Sequence, residues 1–102
     1  QLLLSQREIM TDTLNTLFAT LAERKRTMPE GSYTVRLFQE GENEILKKVG
    51  EEAVEVIIAA KGEGDDRVIY EMSDLIYHCM VLLAERDLAW EQIEDELRRR
   101  FK

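Results

Sequence analysis

Five acidic side chains in the middle of the chain have spacings that suit joint chemistry. Glu51 and Glu55 stand one helical turn apart and Glu52 and Glu55 three residues apart, so all three can point at one spot on a helix. Glu71 and Asp74, again three apart, form a second pair further along. Like charges so placed repel by a few tenths of a kcal/mol per pair on an exposed helix, and by more when packed between helices. A compensating cation is therefore expected. Mg²⁺ suits the role, because it takes carboxylate oxygens in octahedral geometry and keeps positions open for water and phosphate oxygens. The competing reading is two solvated helix faces. The flanks argue against it, since the acids lie within two of the most apolar segments of the chain.

The elements that must carry these residues are helices. From Thr11, the positions Leu14, Leu17, Phe18 and Leu21 recur at three and four, with Thr11 or Asp12 as N-cap and an end near Arg26. The stretch from Thr27 to Gly41 holds the only proline, Pro29, together with Gly31, Ser32 and Gly41, and reads as a long ordered loop. Val35, Leu37 and Phe38 offer it a short strand or a helical turn at most, and a lone strand has no partner. A second helix runs from about Asn43 to Lys61 on the apolar surface of Ile45, Leu46, Val49, Ala53, Val54, Val56, Ile57 and Ile58. Gly50 inside it costs about 1 kcal/mol relative to alanine, which points to close approach of another backbone or a ligand. A third helix spans about Arg67 to Glu85, with Asp65 and Asp66 as N-caps and with Val68, Ile69, Met72, Leu75, Ile76, Cys79, Met80 and Leu83 facing a core. The last, about Ala89 to Phe101, carries Trp90, Ile93, Leu97 and Phe101 on one face, with Trp90 in the core. The expected fold is all-α and four-helix bundle-like. Its two central helices are too apolar for two slim flanking helices to cover, so a homodimer is expected.

Length and composition set the limits. A chain of 102 residues makes one domain. Its net charge of −7, from 21 acids against 14 bases, excludes general affinity for nucleic acid, so any polyanionic ligand must be bound locally. No stretch reaches the roughly 20 apolar residues of a membrane span. The single cysteine, Cys79, lies in the apolar run Leu75 to Leu83 and reads as a buried small hydrophobe, so a reducing, cytoplasmic setting is expected. Met10 is the expected natural start. On that reading residues 1–9 are a cloning remnant or an upstream linker, and residues 10–102 form the domain.

The run Lys47-Lys48-Val49-Gly50-Glu51-Glu52-Ala53-Val54-Glu55, followed by Glu71-Met72-Ser73-Asp74, resembles the all-α nucleoside triphosphate pyrophosphohydrolases, the MazG-like and dimeric dUTPase-like proteins. Glu23-Arg24-Lys25, Ser32-Tyr33-Thr34 and Ser73-Asp74-Leu75-Ile76-Tyr77-His78 narrow the resemblance to the phosphoribosyl-ATP pyrophosphohydrolase family, the second enzyme of histidine biosynthesis. The likeness covers about Leu14 to the C-terminus, and its motifs stand in the right order. It implies a MazG-type fold and hydrolysis of the bond between the α and β phosphorus atoms of phosphoribosyl-ATP. Some relatives carry a cyclohydrolase domain upstream; a stand-alone enzyme is expected here.

By this resemblance Glu51, Glu52, Glu55 and Asp74 hold one or more Mg²⁺ ions, and Glu71 completes the shell or orients a water. Lys47 and Lys48 bind phosphate, or simply pair with the glutamates on the helix surface. Arg24 and Lys25, with Arg26, make phosphate contacts or complement the dipole at the end of their helix. Ser32 and Tyr33 contact ribose phosphate or adenine, or only shape the loop. His78 lies on the face of Asp74 and Glu71. An acid-rich Mg²⁺ site prefers oxygen ligands, so the histidine reads as a hydrogen-bonded neighbour or a dimer-interface residue. Two other functions fit the chain: a housecleaning pyrophosphohydrolase of non-standard triphosphates, and a non-catalytic helical dimerisation module.

Overall fold

A computed structural model describes residues 13–101, so the expected caps Thr11 and Asp12 and the expected start at Met10 lie outside it. Among the described residues the chain is all-helical: α1 (Thr13–Thr27), α2 (Tyr33–Glu40), α3 (Glu42–Gly62), α4 (Asp65–Glu85) and α5 (Trp90–Arg100). That is five helices where the periodicity suggested four. The difference is α2, which occupies most of the expected Thr27–Gly41 loop.

Local chemistry explains where α2 begins and ends. α1 stops at Met28, whose φ of 50° lies in the left-handed region, ahead of Pro29. Ser32 then takes an extended conformation, and its Oγ accepts the Val35 N–H at 3.3 Å, satisfying one of the orphan donors of a new helix. Two turns later Gly41 ends it at φ 97°, a conformation costly for any side chain, with its N–H donated to the Leu37 carbonyl. Thr34, Val35, Leu37 and Phe38 are all buried, so α2 lays an amphipathic face on the core in place of forming a surface loop.

α3 and α4 form the spine. They are joined through Glu63 and Gly64 (φ 94°) and make the most extensive interhelical packing in the molecule. Gly64 occupies the N-cap position of α4, while Asp65 and Asp66, the expected caps, lie in its first turn, where their charge favours the helix N-terminus. The core gathers Leu21, Leu37, Phe38, Ile45, Met80, Val81 and Ala84, with Leu17, Phe18, Tyr77 and Trp90 packed against it. Much of the expected apolar surface lies outside it. On α3, Leu46, Val54, Ile57 (61% exposed) and Ile58 face outward, as do Ile69 (66% exposed), Met72 and Ile76 on α4. A Cβ at Gly50 would meet nothing within 4 Å, so among the described residues nothing makes the close approach expected there.

Candidate active site

The spine brings acids from its two helices together. One carboxylate oxygen from each of Glu52, Glu71 and Asp74 lies within 4.8 Å of the others. Glu52 and Asp74 are half-buried and Glu71 is 4% exposed. Arg67, one turn before Glu71, donates to its Oε2 at 2.7 Å, fixing this carboxylate from behind. Arg67 is a site residue marked in the sequence only by its i, i+4 spacing to Glu71. Burial, then Asp74, and to a lesser extent Glu71 and Glu55, push the Glu52 carboxyl above its ordinary range, with His78 opposing.

Glu51 and Glu55 stand outside this triplet. Both are exposed, and Glu51 lies 3.6 Å from the Lys48 ammonium. With Glu52, Lys47, Gly50, Leu46 and Val54 they line an open groove of about 510 Å³ on the outer side of α3.

A polar and aromatic group borders the acids. Tyr33, at the start of α2, sends its hydroxyl to His78 Nε2 at 3.1 Å, and the ring of Tyr77 stacks near it at 6.4 Å between centroids. Tyr77 also shares a hydrogen bond with the Thr34 hydroxyl. Burial raises the Tyr33 phenol above its usual range, with Tyr77, Glu52 and Asp74 adding and Lys48 opposing; Lys48 is in turn raised, chiefly by Tyr33. The charge of Lys48 thus reaches the Tyr33 phenol. Arg24 donates to Ser32 Oγ at 3.2 Å and is felt by the Tyr77 phenol, so it belongs to the same group.

Lys25 is engaged elsewhere. Its ammonium donates to the carbonyls of Ala84 (3.0 Å) and Glu85 (2.7 Å) and to Asp87 Oδ1 (3.1 Å), which uses all three protons at the C-terminus of α4. The dipole role read from the sequence exists, but toward another helix. Trp90 packs on the core as expected, with a buried Nε1–H that finds no acceptor among the described residues. Cys79 is half-buried, and burial alone raises its thiol.

Fold and site define a class: an all-helical domain whose central helix pair converges carboxylates at one point, with lysine, arginine and tyrosine at the rim. The sequence profile of the phosphoribosyl-ATP pyrophosphohydrolase family matches residues 14–101, and the chain belongs to that family. Among curated relatives, the phosphoribosyl-ATP pyrophosphatase of Metallosphaera sedula is 52% identical over 93 residues, 91% of this chain and 100% of that protein. That of Geobacter sulfurreducens is 49% identical over 88% of this chain and 83% of its own length. The histidine biosynthesis bifunctional protein HisIE of Caldanaerobacter subterraneus is 52% identical over 89% of this chain but only 44% of its own.

Proposed function

We propose that this chain hydrolyses phosphoribosyl-ATP to phosphoribosyl-AMP and pyrophosphate in histidine biosynthesis, with Mg²⁺ at the carboxylate triplet. The observation that carries the reading is the meeting of Glu52, Glu71 and Asp74 from two helices in a chain of this family. The donor set fits the ion. Adjacent oxygens of an octahedral Mg²⁺ lie about 2.9 Å apart and opposite ones about 4.1 Å, so side-chain adjustments bring oxygens within 4.8 Å into range. When bound, Mg²⁺ supplies charge neutralisation at the phosphates and a water of lowered pKa.

The chain's own groups do the rest. Arg67 holds the Glu71 carboxylate in place, while Glu51 and Glu55 extend the acidic face toward a second cation. Lys48 and Lys47 on one side, and Arg24 with Ser32 on the other, take the phosphate charge. The attacking water loses a proton to solvent and forms the new P–O bond as the α–β phosphoanhydride breaks, with pyrophosphate leaving on the bonding electron pair.

Two further parts of the reading concern the whole protein. The chain works as a homodimer, supported by the outward apolar faces of α3 and α4. It acts in the cytoplasm, supported by the biosynthetic family and by a lone cysteine in an apolar setting. The deciding experiment measures pyrophosphate release from phosphoribosyl-ATP and from ordinary and non-standard nucleoside triphosphates, with Mg²⁺ and with a chelator. Chelator-sensitive release, strongly favouring phosphoribosyl-ATP, is expected. Equal turnover of other triphosphates, or no release at all, would overturn the reading.

A further inference from the structure

His78 is 3% exposed and sits one turn beyond Asp74 on α4. Its Nδ1 lies 2.8 Å from the Asp74 carbonyl oxygen. A carbonyl can only accept, so Nδ1 carries a proton, and when the ring is neutral Nε2 is left as an acceptor. That acceptor receives the Tyr33 hydroxyl at 3.1 Å. Both nitrogens are thereby used inside the fold. What they hold is an aromatic ring left open beside the acids: Tyr33 is 41% exposed. Tyr77 lies near-parallel to it, tilted by 25°, and packs edge-on against the His78 ring at 4.9 Å. The Arg36 guanidinium lies over the Tyr33 ring, 5.7 Å from its centroid.

We propose that Tyr33 is the stacking surface for the purine base of the nucleotide, and that His78 is the positioning residue that holds it there. The inference rests on the nucleotide reading above and assigns the base within it. The hydroxyl of Tyr33 is turned inward, so the ring offers solvent an apolar π surface and no donor for phosphate. Phosphate falls instead to Lys48, whose charge reaches the Tyr33 phenol. A ring already stacked on one neighbour and tethered through its hydroxyl has little freedom left to lose when a base packs on it, which favours affinity.

The test separates base from phosphate. Inhibition constants are measured for adenosine monophosphate, which carries the base, and for inorganic pyrophosphate, which lacks it, together with KM and kcat for phosphoribosyl-ATP. Tyr33→Leu is expected to weaken adenosine monophosphate about tenfold or more, in line with the worth of stacking one base, and to leave pyrophosphate within about twofold. KM should rise by more than kcat falls. Tyr33→Phe keeps the ring but loses the tether, and should raise KM about threefold. His78→Gln should do the same, and the double variant should be no worse than either single one, because each removes the same hydrogen bond. If His78→Gln does not fold, Tyr33→Phe reports the tether alone. Equal weakening of both inhibitors, an unchanged KM in Tyr33→Leu, or additive effects of the two tether variants overturn the proposal. If the wild type does not turn over phosphoribosyl-ATP, the functional reading fails. Adenosine monophosphate binding by calorimetry then still decides whether Tyr33 carries a base.

Discussion

Glu52 is the one member of the carboxylate triplet carried by α3, facing Glu71 and Asp74 of α4. Burial first, then the charges of Asp74, Glu71 and Glu55, raise its carboxyl above the ordinary 4.5, while His78 works the other way. A pKa higher in the folded than in the unfolded chain means that folding favours the protonated acid. The ionised group therefore weakens the fold fully above its folded pKa, and the penalty fades as pH falls toward 4.5. Glu52→Gln removes that penalty. Without metal, the variant should melt above the wild type at pH 7, and the gap should close near pH 4. Millimolar Mg²⁺ should raise the wild-type melting temperature, since a ligand at a hundredfold excess over Kd adds about 2.7 kcal/mol. The rise should be smaller in the variant, which should also lose nearly all activity. Wild-type turnover with an unchanged Mg²⁺ increment would remove Glu52 from the site. Spacing along the chain marked Glu52 as a candidate, yet grouped it with Glu51 and Glu55. Spacing fixes only the phase of residues around one helix. That Glu52 meets Glu71 and Asp74 follows from how α3 and α4 pack, which no local pattern encodes.

At the scale of elements, the basic run at the end of α1 divides among three partners: Arg24 turns to Ser32, Lys25 to the end of α4, and Arg26 to Glu23. A cation at a helix C-terminus stabilises by about 0.3–1 kcal/mol when exposed, and up to about 2 when partly buried. Lys25 is partly buried and also donates to Asp87, whose φ of 58° turns the chain toward α5. Lys25→Met should cost about 1 kcal/mol, a drop of roughly 4–8 °C for a domain of this size, with KM for phosphoribosyl-ATP unchanged. Thermal melts and steady-state kinetics on one preparation check both halves. A normal melt with a raised KM would return Lys25 to the substrate. The sequence placed α1, α3, α4 and α5 to within a few residues because each repeats apolar positions over three or more turns. It missed α2 because eight residues between Gly31 and Gly41 are too few for a period to show, and because the punctuation that bounds a short helix also bounds a loop. The Ser32 cap and the run Val35, Leu37, Phe38 were in view. What decided for helix was the core surface they cover.

The molecule as a whole leaves two apolar seams open. On α4, Ile69, Met72, Ile76, Cys79 and Leu83 recur at three and four and are exposed or half-buried throughout. On α3, Leu46, Gly50, Ala53, Ile57 and Ala60 repeat the same alternation in reverse phase, again without burial. This 3.5-residue period is that of helices packing side by side against partners, and among the described residues only Trp90 and Ile93 of α5 stand beside either seam, near Cys79 and Leu83 at the end of α4. A second copy supplies the same two seams, so a two-fold pairing of the α3–α4 hairpins would bury all four in one four-helix layer. Gly50 then explains its cost, since the absent side chain lets a partner helix come close, and the groove that Glu51, Glu52 and Glu55 line with Gly50 would gain a wall from the other copy. The expected outcome is that the protein sediments at twice the 11.9 kDa of one chain at micromolar concentration. Its melting temperature should rise with protein concentration, because association is linked to folding. Ile57→Lys combined with Ile69→Lys places an unpaired charge in each seam and should shift the protein to monomer, with loss of activity though no residue of the carboxylate triplet has changed. Phe101→Lys, a charge on an 81% exposed side chain outside both seams, is the control and should leave the dimer intact. A wild type that sediments as a folded 11.9 kDa particle, or a doubly charged variant that remains dimeric, would place the contact between copies on some other surface and leave the open seams unexplained.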